Sequence, residues 1–235
     1  MKAMASTFVA VTGLSACTGV APPGAGDPFA IPYEALSEKQ AEPVHKVMDA
    51  PSVMVELERT AVKSRPDIYV YLMDELPFTA GVLRELGEST YEISRDAKGG
   101  YLFDDKAGLV LRAELVFRDE RRWIWSTFGT YSLGIFGTAR GRSVIIVRYE
   151  RDGGALLTEA RVYAKLEDKL LDSAAKALKG AVEKIIRDKS FVFIKAAKLV
   201  AEIAARDAAG LVDTVRGSAH VDAAELEEFR RRFVR

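Results

Sequence analysis

The side chains able to do chemistry are few. The chain has one cysteine, Cys17, and two histidines, His45 and His220, and no serine stands in a nucleophile-elbow pattern. A nucleophile needs a base within hydrogen-bond reach. Both histidines lie in polar stretches, His45 beside Lys46, where a solvated surface role accounts for them. Asp104 and Asp105 are adjacent carboxylates, but Lys106 and Gly108 follow at once, and the segment reads as a turn. Glu114 and Glu159 fall on what should be the wet face of a sheet, beside Arg112 and Arg161, where ion pairing has little energetic consequence. The expectation is a protein that is not an enzyme, with no catalytic residues. No histidine-rich cluster or cysteine pair suggests a metal, and nothing calls for a cofactor. Lys plus Arg and Asp plus Glu are 34 each, so there is no electrostatic case for a nucleic-acid partner.

The cysteine is informative through its position. Met1-Lys2 supplies one positive charge, Ala3 to Gly13 is short, uncharged and mainly apolar, and Leu14-Ser15-Ala16-Cys17 follows. This resembles a bacterial lipoprotein signal, whose processing site is a branched apolar residue, two small residues and a cysteine. The resemblance implies cleavage before Cys17, diacylglycerol on its sulfur with palmitate-type acylation, and a membrane anchor. The apolar stretch is too short to span a bilayer as a mature helix. Residue 18 is Thr and not Asp, so the enteric inner-membrane retention signal is absent. The expected address is the bacterial envelope, on the outer membrane facing the periplasm.

The rest of the chain divides by composition. Residues 17–32 are rich in Gly, Pro and Ala and form a tether; 33–52 form a short helical lead-in; 53–208 form one domain; 209–235 form a helical tail. All eight prolines lie at or before Pro77, so nothing later forbids long strands or helices. Val53 to Val62 alternates as a strand, Asp67 to Leu76 and Thr79 to Leu86 read as short helices, and from Thr90 to Leu166 the period is two, with turn signals at short intervals. Leu109, Leu111, Ala113, Leu115 and Phe117 form one face of a strand, with Arg112, Glu114 and Arg118 on the other. The last strand turns Leu156, Thr158, Ala160, Val162 and Ala164 inward. Asp152-Gly153-Gly154 signals a hairpin.

A sheet with one apolar and one charged face needs a cover. Asp168 to Asp207 supplies it, with apolar residues at helical spacing. One straight helix of that span would be roughly 60 Å long in a domain about 40 Å across, so a break is expected near Asp188 to Ser190, with Gly210 as terminator. The fold class is α+β, a curved antiparallel sheet of about six to seven strands gripping a long C-terminal helix. This element order resembles the START-like helix-grip superfamily, and the resemblance implies an apolar cavity that binds or carries a lipid, sterol-like or other hydrophobic small molecule. The residues assigned to that cavity are Leu115, Phe117, Trp125, Phe128, Tyr131, Ile145, Val147, Tyr149 and Val162 on the sheet and Leu178, Val182 and Ile185 on the helix. Leu133, Ile135 and Phe136 join them from a glycine-rich loop over 129–142, read as a lid or membrane-touching tip with Arg140 and Arg142 for lipid phosphates. The alternative is a non-enzymatic structural or assembly lipoprotein of the envelope with a filled core.

Overall fold

The computed structural model describes residues 26–132, 137–152, 155–168 and 179–234. A 3₁₀ turn at Tyr33–Ala35 leads into α1 (Glu38–Met48), β1 (Val53–Val62), α2 (Pro66–Asp74) and α3 (Leu76–Glu85). The strands β2 (Glu92–Arg95), β3 (Tyr101–Asp104), β4 (Leu109–Arg118), β5 (Arg122–Ser132), β6 (Thr138–Asp152) and β7 (Ala155–Leu166) follow, then α4 (Lys179–Val215) and α5 (Ala223–Phe233). All the strands form one seven-stranded sheet in the order β1-β7-β6-β5-β4-β3-β2. Every pairing is antiparallel, and the curved sheet with its long C-terminal helix is the expected helix-grip arrangement.

The helix starts follow from local chemistry. Ser37 and Gln40 make a reciprocal capping box on α1. Pro66 and Pro77 sit in the first turns of α2 and α3, where a missing N–H is harmless. Pro77 therefore opens α3, which starts before the expected Thr79. Thr79 Oγ1 donates to the Leu72 carbonyl at 2.7 Å and locks the two short helices together.

The inner face carries the main core, in which Val53, Val55, Leu57, Trp123, Trp125, Ile145, Val147, Leu156, Ala160 and Val162 meet α2, α3 and α4. The outer face is not uniformly wet, as the alternation had suggested. Phe29, Ile31, Val44, Val47, Met48, Val116, Ile124, Val144, Ile146 and Tyr163 form a second buried cluster beneath α1 and the segment before it. The sign of this was the unbroken run Val144-Ile145-Ile146-Val147, since a strand buried on both faces loses its alternation. The tether expected over 17–32 therefore ends earlier. Asp27 is bound to Arg161 at 2.7 Å, and Phe29 and Ile31 are core residues. Ion pairs on this face also differ from expectation: Arg112 joins Asp96, and Glu159 joins Arg148 at 2.9 Å.

A bulge reverses the end of β4. Leu115 pairs with Trp125, but Phe117 pairs with Ile124, so one extra residue intervenes and the side-chain phase flips. Phe117 moves to the outer cluster and Arg118 turns inward.

α4 runs 37 residues without the break expected near Asp188 to Ser190; its kink is at Asp207, with φ −155° and ψ 84°. Asp207 Oδ1 accepts from Gly210 N at 2.8 Å, which is N-capping geometry, so Gly210 belongs to a restarted helix and does not terminate one. Arg187 donates to the Glu56 carbonyl at 2.6 Å, and Glu202 accepts from the Lys63 amide at 3.0 Å, fastening α4 along β1. α5 is no loose tail. Phe229 and Phe233 pack on Tyr71 at ring separations of 5.7 and 5.3 Å, and Phe229 stacks on Phe78 at 5.1 Å. At Gly81 an added Cβ would lie 2.1 Å from the His220 carbonyl oxygen, so only glycine lets the α4–α5 connection close on α3.

Candidate functional site

Asp104 and Asp105 build a turn, and His45 packs on Tyr33. Asp104 holds Lys106 at 2.8 Å, and Asp105 accepts from the Ala107 and Leu109 amides at 2.8 Å, a turn closed by Lys106 at φ 56°. His45 stacks on Tyr33 with ring centres 4.2 Å apart, on the far side of the sheet. Among the described residues, no group of three or more His, Cys, Asp and Glu is placed to hold a metal.

The register makes one concavity. One row of the inner face runs Tyr101, Ala113, Thr127, Ser143, Ala164 across β3 to β7. The row on one side is Leu115, Trp125, Ile145, Val162; on the other it is Phe103, Leu111, Gly129, Gly141, Leu166. Small side chains between larger ones leave space that close packing would normally remove. A cavity of about 70 Å³ results, with Leu76 of α3 and Ile186 of α4 among its walls. Among the described residues, no lining residue is charged.

Gly129 and Gly141 serve this geometry differently from the flexible loop expected. They face each other as a ladder pair, and the strands continue on either side. A Cβ at Gly129 would sit 2.0 Å from the Val110 carbonyl oxygen, so the bare backbone permits a close strand approach. At Gly141 the nearby Tyr131 Cε2 is 3.4 Å from where a Cβ would be, so the ring of Tyr131 lies over the glycine pair. Its hydroxyl thereby reaches Ser143 Oγ at 3.3 Å, and Ser143 Oγ lies 2.5 Å from Thr127 Oγ1. Burial pushes the Tyr131 phenol up, opposed by its bonds to Ser143 and Thr127. The Tyr101 hydroxyl instead donates to the Asp74 carbonyl at 3.0 Å. Its pKa is raised by burial and held back by Arg95.

Of the residues assigned from sequence, Trp125, Tyr131, Ile145 and Val162 line this cavity. Leu115 packs half-buried on the main core, Val147 is fully buried in it, and Tyr149 leans on Trp123 at 5.3 Å, all away from the cavity wall. Phe117 and Phe128 are corrected. The bulge sends Phe117 outward, and Phe128 lies on the outer face 39% exposed, with the Arg142 guanidinium 4.6 Å above its ring. Arg142 also pairs at 3.3 Å with Glu167, just past the end of β7. Leu133, Ile135, Phe136 and Leu178 lie outside the described residues, as do the side chains of Val182 and Ile185, whose backbone is in α4. Cys17 and the whole signal segment are outside them too.

Sequence reasoning missed Leu76, Ile93, Tyr101, Phe103, Leu109, Leu111, Ala113, Thr127, Ser143, Ala164 and Ile186 as lining residues. The inward alternation of Leu109, Leu111 and Ala113 was visible. Thr127 and Ser143 are polar, so apolar alternation does not mark them, although both fall in phase with Trp125 and Ile145.

No known family model and no curated protein matches the sequence. Solved structures do resemble it. A protein from Thermus thermophilus is 14% identical, covering 64% of this chain and 98% of its own, with TM-score 0.44. A START superfamily protein from Mycobacterium smegmatis is 11% identical, covering 58% and 95%, with TM-score 0.33. The di-domain ARO/CYC StfQ from the steffimycin biosynthetic pathway is 15% identical, covering 70% of this chain and 56% of its own, with TM-score 0.43. The fold itself is read from the strand order and the position of α4. The expectation that this is not an enzyme is withdrawn: the solved structures that resemble this chain include the di-domain ARO/CYC proteins BexL and StfQ of biosynthetic pathways, at 13% and 15% identity.

Proposed function

We propose that this protein binds an apolar small molecule between the inner face of the sheet and α4, and that it does so as an envelope lipoprotein held by an acylated Cys17. The observation that carries the binding proposal is the uncharged cavity set in the Ala113, Thr127, Ser143, Ala164 row. An apolar hollow gains little from water, and a hydrophobic guest recovers the missing contacts. At about 70 Å³, the space is less than half of the roughly 150 Å³ known to admit benzene. A guest larger than a few heavy atoms therefore requires side chains of the wall to move apart.

The anchor is supported by Leu14-Ser15-Ala16-Cys17 and by the Gly- and Pro-rich stretch that separates it from Asp27. The outer membrane facing the periplasm is the proposed address. A second reading, an assembly lipoprotein of the envelope with a nearly filled core, draws on the small size of the cavity.

Native mass spectrometry of the full chain purified from its own membranes tests the first reading. A stoichiometric apolar passenger is expected, and a mass equal to the acylated polypeptide alone favours the second. Cys17→Ser should abolish incorporation of labelled palmitate and move the protein out of the membrane fraction; unchanged fractionation would refute the anchor.

A further inference from the structure

We infer that the cavity selects a neutral guest carrying one hydrogen-bond donor, a hydroxyl or an N–H, which docks on the hydroxyl oxygens of Thr127, Ser143 and Tyr131. This rests on the proposal that the cavity holds an apolar guest, and it names the chemistry of that guest. The three hydroxyls converge on one spot of a mostly apolar wall that also carries Tyr101, whose hydroxyl is bonded to Asp74, and the Trp125 indole: Thr127 Oγ1 and Ser143 Oγ are 2.5 Å apart, and Tyr131 Oη is 3.3 Å from Ser143 Oγ. Thr127 and Ser143 are only 2% and 4% exposed, so bulk water does not solvate them.

Each hydroxyl oxygen offers two lone pairs and one proton. Three protons can fill at most three of the six lone pairs, so at least three remain without a protein partner among the described residues. Unmet hydrogen-bonding capacity in a dry site is costly. A donor on the guest, or a water in its absence, relieves that cost.

The same wall excludes charge. Among the described residues no lining side chain is ionised at neutral pH, so a carboxylate or ammonium would be desolvated there with no counter-charge from them. The guest is therefore neutral at its buried end and apolar over the rest.

Calorimetric titration of the full chain with phenol, toluene and benzoate tests this, since the three differ little in shape but differ in donor and charge. Phenol should bind about three- to tenfold more tightly than toluene, the span of one net hydrogen bond, and benzoate should show no binding. In Ser143→Ala, with circular dichroism confirming the fold, the ratio of phenol to toluene affinity should fall toward one. Equal affinity for phenol and toluene in the wild type overturns the hydroxyl handle and leaves the cavity proposal standing. Benzoate binding as well as phenol overturns the requirement for neutrality. Failure of both phenol and toluene to bind overturns the cavity proposal itself. The wild-type ratio decides the matter even if the variant does not fold.

Discussion

The indole Nε1 of Trp123 donates to Asp74 Oδ1 at 2.7 Å, joining the buried start of β5 to the last turn of α2. Asp74 also accepts from Arg118 Nε and Nη2, both at 2.7 Å, and the Arg118 guanidinium lies 5.6 Å over the Trp123 ring. The β4 bulge is what turns Arg118 into this position.

Asp74→Ala should therefore destabilise the protein by about 1–3 kcal/mol, the cost of leaving the buried Trp123 donor unsatisfied. Asp74→Asn keeps an acceptor for the indole and should recover most of the loss. Urea unfolding midpoints of the two variants check this; equal midpoints would show that the Trp123 bond contributes nothing.

Ile145 lines the cavity and sits beside Trp125 and Val162 in the ladder. Ile145→Ala should cost about 2–5 kcal/mol and, by enlarging the hollow, should increase the affinity for bulkier apolar probes such as p-xylene. Loss of stability without gain of binding would mean that the wall collapses to fill the space.

Glu75 and Glu225 meet Arg95 where α5 docks. Burial is the first cause that raises both carboxyls above the ordinary glutamate value of 4.5; Arg95 opposes it at both, Asp74 and Glu228 add to it at Glu75, and Glu75 adds to it at Glu225. A carboxyl raised on folding contributes stability that is full below its unfolded pKa and is lost as pH rises through the folded one. Thermal stability should thus decline upward from about pH 4.5. Glu225→Gln should flatten that decline and raise the melting temperature at pH 7, which thermal melts across this window would reveal.

Asp27 behaves with the opposite sign. Burial raises its carboxyl, but the Phe29 amide and Arg161 outweigh burial and hold it below the ordinary value of 3.8. Its contribution is present above the ordinary aspartate range and is lost as pH falls through the depressed folded pKa. At neutral pH, Asp27→Ala should release the segment around Phe29 and Ile31, seen as faster amide exchange over 26–36 with the β5 and β6 amides unchanged.

Much of the architecture was legible because periodicity is local. Val53 to Val62 is β1 as read, and the inward set Leu156, Thr158, Ala160, Val162, Ala164 lies on the inner face. Other parts turned on partners far away in the chain. Val144-Ile145-Ile146-Val147 is compatible with a strand covered on both sides, but only α1 and the Phe29 segment reveal what covers the second one. Gly210 looked like a helix stop because glycine often is one, whereas Asp207 caps a restarted turn there.

From the amino-acid order alone came the strand and helix succession, the inner-face alternation of most strands, and the Leu14-Ser15-Ala16-Cys17 stretch from which acylation is proposed. These depend on residue types and on spacings of two to four, which act over short stretches of chain. Only the tertiary structure decided where the hollow lies and what is polar inside it. That depends on register: pairing Ala113 with Thr127, Thr127 with Ser143 and Ser143 with Ala164 aligns four small side chains. A shift of one residue in any of these pairings would move a wall residue to the opposite face and erase the cavity.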